Sequence, residues 1–430
     1  MTEVAENSTV ALLTRRLRDP AAWITTVDVF AVLTAFSLPW STSLTAIFAT
    51  ALLVTMGPFL DVRAFLQSLK RPICAVPIAL CTLAVVGTLW SDAPWGARLY
   101  AIGPTVKLLM LPVLLFHFER SARGLWVLVA FLVSCTLLTA MSWIVFFHPG
   151  LSLRTFDPEP GIFVKNYIDQ SQEFTLCAVA LAYPIITCLR ARKFMLAALL
   201  VAIVVSFLAN MAFVVVSRTA LVTMPIMLAV FGLLHLKWRT NLVICCAAIV
   251  VSAIAWTASP RLQWTITTFT RDYQLYKESG TPTSIGERLE FWRKSLRFIV
   301  EAPLVGHGTG STRGLFEQAA TGPEGFAASR VIGNPHNQTL NVAVQWGAIG
   351  VIVLYAMWIL HLLLFRGDSL ASWIGLLVVV QNIFTSLFNS HIFDFHEGWM
   401  YVLGVGIAGG MVVRNSSREA TIAMRNSAKP

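Results

Sequence analysis

A histidine in a polar turn is the first residue whose type and position could do chemistry. His336 lies in the sequence Asn-Pro-His-Asn-Gln (334–338), just before a long apolar run. Histidine titrates near neutral pH, so its imidazole can accept a proton from a hydroxyl nucleophile. A loop histidine without chemistry is the simpler interpretation, and the residue type alone does not decide between the two.

Two arginines stand where an anion could be bound. Arg288 follows Ser284 and Glu287, which predict a capping box at the start of a helix. A helix N-terminus and an arginine together suit phosphate or pyrophosphate. Arg218 lies between two apolar runs, where a cation costs free energy unless it meets a partner or water. The alternatives are a solvated Arg288 paired with an acidic neighbour, and an Arg218 that extends to lipid headgroups.

Other candidate sites carry weaker signals. The segment 306–310, Gly-His-Gly-Thr-Gly, resembles a flexible phosphate loop, but no Walker lysine follows it. Four side chains near the C-terminus could ligate a metal, yet their spacing does not match a helix-borne zinc motif, so we predict no metal site. These four are His391, Asp394, His396 and Glu397.

The composition indicates a membrane protein. Of 430 residues, 56% are hydrophobic and 13% are charged, whereas about 25% are charged in an ordinary soluble protein. The net charge of +10 does not indicate nucleic-acid binding, because the basic residues cluster in short segments between apolar runs. The seven cysteines all lie in apolar runs, which argues against a disulfide framework or a zinc site.

Twelve apolar runs are long enough to predict transmembrane helices, at about 20 residues for each span. They are 22–39, 44–60, 73–90, 102–118, 125–147, 174–189, 194–216, 220–236, 242–258, 340–365, 370–389 and 395–413.

The charge distribution predicts the orientation. With both termini inside, the inner segments hold more than half of the 32 Lys and Arg. The polar N-terminus with Arg15, Arg16 and Arg18 then precedes a retained first span. The chain divides into 1–258 with nine spans, an outer loop 259–339, 340–413 with three spans, and an inner tail 414–430.

The large outer loop is expected to contain amphipathic helix. Leu289, Trp292, Leu296 and Ile299 fall on one helical stripe after the capping box, and Pro303 ends the helix. A helix with one apolar stripe beside a bilayer lies along the interface or packs on the spans.

These features together resemble the O-antigen ligase and polymerase superfamily. The resemblance rests on Ser-Arg-Thr (217–219), Gly-Glu-Arg (286–288) with Trp292, Pro-Leu-Val-Gly-His-Gly (303–308), and Pro-His-Asn (335–337) followed by Gly347 and Gly350. It covers the twelve-span layout and the outer loop, and its motif residues lie between 217 and 350.

The resemblance implies an all-α polytopic inner-membrane enzyme, similar to GT-C glycosyltransferases, with a periplasmic active site and no cofactor or metal. It implies transfer of an O-antigen glycan from undecaprenyl pyrophosphate to a sugar hydroxyl of lipid A-core, with inversion. His336 would be the general base, and Arg218 and Arg288 would bind the pyrophosphate. Asn337 would orient the imidazole or a sugar, and Arg154 and Lys165 would contact acidic groups of the substrates.

Three alternatives remain open. An O-antigen polymerase uses the same donor, but polymerases usually have two sizeable outer loops, and here the loop 148–172 is short. A protein O-oligosaccharyltransferase would usually be longer. A polyprenyl-glycan transporter fits twelve spans, but transporters usually place ionisable residues near the middle of spans, whereas here they cluster at one face.

Overall fold

The computed structural model describes residues 20–154 and 159–427, and this part of the chain is all-helical. Arg15, Arg16 and Arg18 lie outside the described residues. The first ten helices are α1 Pro20–Ser37, α2 Thr42–Met56, α3 Val62–Leu69, α4 Pro72–Val86, α5 Trp95–Val106, α6 Met110–Arg120, α7 Gly124–Phe147, α8 Tyr167–Ala180, α9 Ala182–Arg190 and α10 Phe194–Phe213. The others are α11 Arg218–His235, α12 Trp238–Ala258, α13 Pro260–Ser279, α14 Ser284–Glu301, α15 Thr312–Gln318, α16 Gln338–Leu364, α17 Leu370–Thr385 and α18 Phe395–Ser427.

Several of these helices are apolar enough to cross a membrane. Six stretches in the described part of the chain have the length and hydropathy of a span, and the bent pair α3–α4, with an angle of 81°, is a seventh candidate. Every one of the twelve predicted apolar runs contains helix, which confirms the prediction of a multi-pass membrane protein. The number of twelve spans stays a prediction. The six stretches are Trp95–Arg120, Gly124–Phe147, Tyr167–Arg190, Phe194–Phe213, Trp238–Ala258 and Gln338–Leu364.

Helix α18 lies at the centre of the packing, against α6 and α17. Small residues allow its backbone to approach α6: a methyl group at Gly410 would lie 2.7 Å from the carbonyl oxygen of Leu115. The surrounding core buries large aromatic side chains, among them Trp346, Trp373 and Tyr401. This core fixes the ends of the helices from which the candidate site is built.

The predicted helix of the outer loop is present as α14, and it ends at Glu301, before Pro303. Its predicted cap is wrong by one residue. The N-cap is Thr283, whose hydroxyl accepts a hydrogen bond from the amide of Gly286 at 3.2 Å. Glu287 does not complete a capping box, because its carboxylate accepts a hydrogen bond from Arg330 at 2.7 Å.

The predicted apolar stripe of α14 is only partly packed in the protein, because Trp292 and Ile299 lie against a buried cluster, and its place along the interface stays a prediction. Leu289 and Leu296 are exposed, at 36% and 56% of their surface. The buried face instead carries Phe291 and Phe298, which pack against Phe316 of α15. Two adjacent stripes of this helix both carry large side chains, so helical periodicity alone could not choose between them.

Candidate active site

An aspartate on α13 brings the two candidate arginines together. The carboxylate of Asp272 accepts hydrogen bonds from both terminal nitrogens of Arg218, at 3.2 and 3.3 Å. The backbone oxygen of Asp272 accepts a hydrogen bond from the hydroxyl of Thr283 at 2.8 Å. Because Thr283 caps α14, these bonds hold the first turns of α14, with Arg288, beside the first residue of α11.

Arg288 has no counter-ion of its own. Its guanidinium makes no hydrogen bond or ion pair with any residue in 20–154 or 159–427. Burial lowers the pKa of Arg288, and the positive charge of Arg218 acts in the same direction, while the neighbouring Tyr167 and Glu287 oppose it. Two guanidiniums that repel each other, one of them unpaired, form a site that favours a bound anion.

His336 lies next to this pair in a left-handed backbone conformation, with φ of 53°. The side-chain oxygen of Asn334 stabilises this turn by accepting a hydrogen bond from the His336 amide at 2.9 Å. The imidazole lies near the ring of Phe291 on α14, with centroids 6.1 Å apart. A positive φ outside glycine is uncommon and concentrates at functional sites.

Asn389 sets the tautomer of the imidazole. Its Oδ1 lies 2.9 Å from His336 Nδ1, and its Nδ2 donates to Asp394 Oδ2 at 2.6 Å. The Nδ2 of Asn334 also donates to this oxygen, at 3.2 Å, so the oxygen is an acceptor and takes a hydrogen bond from Nδ1–H, which leaves Nε2 as the basic nitrogen. Burial lowers the pKa of His336 and the positive charge of Arg288 acts in the same direction, while the hydrogen bond to Asn389 opposes them, so the neutral imidazole is favoured.

Asp394 in turn is held by a buried lysine. Lys107 of the stretch between α5 and α6 donates to the backbone oxygens of Phe393 and Asp394. Burial raises the pKa of the Asp394 carboxyl to about 7, and the positive charge of Lys107 opposes this change. The sequence alone does not indicate that these residues support the histidine, because their partners are distant in the chain.

Asn337 does not contact the imidazole through any hydrogen bond in the described residues. Its side-chain oxygen accepts from the amide of Leu340 at 3.1 Å and so caps α16, while its Nδ2 donates to the backbone oxygen of Leu387 at 3.2 Å. Asn337 therefore does not orient the imidazole in this structure, whereas its alternative role, to orient a sugar, stays a prediction. Asn389 orients the imidazole instead, and Asn337 fixes the start of the helix that follows His336.

Arg154 and Lys165 lie in the loop before α8, and their side chains turn into the protein. Arg154 donates to the backbone oxygen of Lys165 at 2.9 Å and lies 3.4 Å from Glu159. The ammonium of Lys165 donates to the backbone oxygen of Leu38. The described contacts of both cations hold this loop against α1 and α8, and they do not place either side chain beside His336.

The glycine-rich segment 306–310 is a packed connection and not an open phosphate loop. The amides of His307 and Gly308 donate to Val344 and Gln345 of α16 at 2.9 Å each. At this point α16 is kinked at Gly347, with φ of 57° and ψ of −152°, and the amide of Ala348 donates to the backbone oxygen of Pro303 at 2.8 Å. The segment is inserted into the kink, so these amides are not available to a ligand.

Three of the four acidic and histidine side chains near the C-terminus meet. The ligand atoms of His391, Asp394 and Glu397 lie within 4.8 Å of one another. His396 instead pairs with Asp169 of α8 at 2.6 Å. The ammonium of Lys107 already supplies positive charge beside Asp394, which weakens the case for a metal ion at this group.

Signals for the residues that sequence analysis missed were present but ambiguous. Asn389 and Asp394 lie in a short polar segment after an apolar run, and Asp272 is the acidic residue nearest the middle of α13. Tyr167, the first residue of α8, lies within electrostatic range of Arg288. Only their three-dimensional neighbours separate them from ordinary loop residues.

The fold and site together define a class: a multi-pass helical membrane protein with a histidine and two arginines at one end of its helices. Residues 203–355 match the family model described as O-antigen ligase. The match supports membership of the O-antigen ligase superfamily and confirms the resemblance noted in the sequence, since it includes Arg218, Arg288 and His336. No curated protein matches the chain.

Proposed function

We propose that this protein is an O-antigen ligase, which transfers a glycan from undecaprenyl pyrophosphate to a sugar hydroxyl of lipid A-core. The superfamily match supports a glycosyltransferase of the ligase and polymerase type. In the proposed orientation both termini are cytoplasmic, the protein lies in a bacterial inner membrane, and His336 faces the periplasm. The four-part division of the chain and its GT-C likeness belong to the same proposal.

The proposed reaction is a single displacement at the anomeric carbon. The acceptor oxygen forms a bond to that carbon as the bond to the pyrophosphate oxygen breaks, and inversion follows. Nε2 of His336 takes the proton of the acceptor hydroxyl, and the electron pair of the broken bond stays on the pyrophosphate. Arg288 and Arg218 stabilise that charge, since fixed cations contribute most where negative charge develops.

The single observation that carries the proposal is the unpaired guanidinium of Arg288 beside Arg218 and His336. A half-buried cation that lacks a counter-ion in the described residues costs free energy in the resting protein, and a polyprenyl pyrophosphate would supply the missing charge. The basic Nε2 of His336 is the nearby group that can receive a proton. Anion binding and proton acceptance are the two activities that glycan transfer from a pyrophosphate requires.

The test is glycan transfer by the purified full-length protein in detergent, with a chelator present. The donor is an undecaprenyl-pyrophosphate glycan, the acceptor is isolated lipid A-core, and a gel shift reports ligation. We expect wild type to ligate and His336→Ala to lose about 100-fold of the rate or more, because the general base is lost. Arg288→Ala should lose a factor of the same order, about 100-fold, because the cation on the leaving group is lost. Arg297→Ala is the matched control, because Arg297 lies on the same helix, is 76% exposed and pairs with Glu301.

Two outcomes would redirect the proposal. Ligation by Arg288→Ala at the rate of Arg297→Ala would remove the pyrophosphate role. A wild-type protein that lengthens the lipid-linked donor without touching lipid A-core would be a polymerase, and one that modifies a protein acceptor would be an oligosaccharyltransferase. A protein that only moves the donor across liposomes would be a transporter.

A further inference from the structure

A basic groove lies at the other end of the membrane helices. Helix α18 starts next to Asp394, and Arg414 lies 19 residues beyond its first residue, Phe395, which is about 28 Å along a helix. Here α6 ends at Arg120, whereas α18 continues to Ser427. The two helices touch at Gly410 and part beyond it, leaving a groove of about 670 Å³. Its lining is Glu119, Arg120, Arg414, Ser417, Arg418, Thr421 and Ile422.

The charges that line the groove do not balance. Glu119 is the one acidic residue in the lining, and Arg71 already holds both of its oxygens, at 2.8 and 3.0 Å. Arg120 is 3.7 Å from the same carboxylate, and its guanidinium lies over the ring of Phe116. The groove therefore contains three arginines, Arg120, Arg414 and Arg418, and its one carboxylate is already paired with Arg71.

Arg414 and Arg418 increase this imbalance. They are four residues apart on α18, and neither makes a hydrogen bond or ion pair with the described part of the chain. Like charges at this spacing repel each other and destabilise a helix. Burial lowers the pKa of Arg414, and the positive charge of Arg418 acts in the same direction. An anion between Arg120, Arg414 and Arg418 would remove this repulsion.

We propose that this groove binds the phosphate headgroup of an anionic membrane phospholipid. The position favours a lipid over a free ion, because the groove opens at the end of apolar helices and its edge carries Ile422. Basic pockets between transmembrane helices at the positively charged face of a membrane protein bind such headgroups. The site lies one helix length from His336, and the proposal does not depend on the proposed glycan transfer.

The test is lipid retention by the full-length protein in detergent, measured by native mass spectrometry. The probes are phosphatidylglycerol, phosphatidylcholine of the same acyl chains, and inorganic phosphate. We expect wild type to retain phosphatidylglycerol in preference to phosphatidylcholine, and Arg414→Gln/Arg418→Gln to bind it on the order of tenfold more weakly or worse. Arg190→Gln/Arg239→Gln, which removes two charges at the same end but outside the groove, should bind as wild type does.

Three further comparisons test whether the groove binds a lipid headgroup through its charge. Equal phosphatidylglycerol binding by the groove variant and the control variant would overturn the proposal. Displacement of phosphatidylglycerol by an equal concentration of inorganic phosphate would show a site for a soluble anion and would overturn the lipid assignment. Arg414→Lys/Arg418→Lys, which keeps both charges, should retain most of the binding, and its failure to do so while remaining folded would contradict an electrostatic origin.

Discussion

The side chain of Asn389 joins His336 to Asp394: its oxygen lies 2.9 Å from His336 Nδ1, and its nitrogen lies 2.6 Å from Asp394 Oδ2. The amide of Asn389 has one orientation, because the Nδ2 of Asn334 also donates to its oxygen, at 3.2 Å. The imidazole is thereby held with its proton on Nδ1. Nε2 is then the nitrogen that receives a proton from an acceptor hydroxyl.

Replacement of Asn389 should affect the chemical step. Asn389→Ala removes the acceptor that holds the Nδ1 proton, so we expect kcat to fall by roughly tenfold or more, because the ring loses its fixed tautomer and orientation. KM for the donor should change little, because Asn389 does not contact either arginine. Steady-state kinetics of ligation check this, and a change confined to KM would show that Asn389 positions the donor and not the base.

The rate of ligation should have an acid limb that reflects His336. The base is active when neutral, and burial with Arg288 nearby lowers the pKa of His336 below its ordinary 6.5. We therefore expect kcat/KM to rise with pH to a half-maximum below pH 6.5 and to stay level above pH 7. Asn389→Asp should move the limb to higher pH, since a carboxylate favours the charged imidazole. A half-maximum above pH 7 in wild type would contradict the neutral base.

Removal of the Arg288 charge should stabilise the protein while it stops catalysis. The guanidinium is half-buried next to Arg218 and unpaired within the described chain, so its charge costs free energy in the absence of donor. We expect Arg288→Gln to raise the melting temperature in detergent by a few degrees and to abolish ligation. Arg297→Gln, at an exposed position of the same helix, should leave both unchanged. A lower melting temperature for Arg288→Gln would mean that Arg288 has a structural partner.

The kink of α16 should require glycine. Gly347 has φ of 57° and ψ of −152°, and a methyl group there would collide with the backbone of Leu304. We expect Gly347→Ala to lower the free energy of unfolding by about 1–3 kcal/mol, a cost typical of backbone strain. Gly314→Ala in α15, where an added methyl group meets nothing within 4 Å, should not destabilise and should raise the free energy of unfolding by up to about 1 kcal/mol. Chemical unfolding in detergent compares the two variants.

Much of the fold could be predicted because lipid imposes a simple rule on sequence. Runs of about 20 apolar residues must be helical to satisfy their backbone in a bilayer, and every predicted run contains helix. The start of α14 was harder to predict, because threonine and serine are both good N-cap residues. Thr283 is favoured over Ser284 by its contact with Asp272, which the sequence does not show. Its buried face depends on Phe316 and Val344, which lie outside the helix and cannot be read from its own periodicity.

The residues of the candidate site likewise include some that the sequence predicts and some that it does not. His336, Arg288 and Arg218 were predicted as site residues because their local motifs together resemble those of a known superfamily, although each residue alone had a simpler interpretation. Asn389 and Asp394 were not assigned as its supports, since their role depends on contacts with residues more than 50 positions away. Lys165 was assigned a substrate contact from its place on an outer loop, which does not show that its ammonium reaches the backbone oxygen of Leu38. Its contact with a substrate stays a prediction.

The kink at Gly347 divides α16 into an outer part that begins beside His336 and an inner part that crosses the apolar region. The outer part is held on one side by the segment 303–310, where the amide of Gly308 donates to the backbone oxygen of Gln345. On the other side it is held by residues 386–392, where the amide of Gln338 donates to the backbone oxygen of Ser386. The inner part has its own contacts: Trp358 donates to the side-chain oxygen of Asn382 at 3.1 Å, and His361 bonds to the hydroxyl of Tyr401 at 2.6 Å. Membranes differ in thickness, and spanning helices adapt by tilting. Because the break at Gly347 separates these two sets of contacts, a tilt of the inner part together with α17 and α18 would be absorbed at the kink and leave the geometry around His336 independent of bilayer thickness.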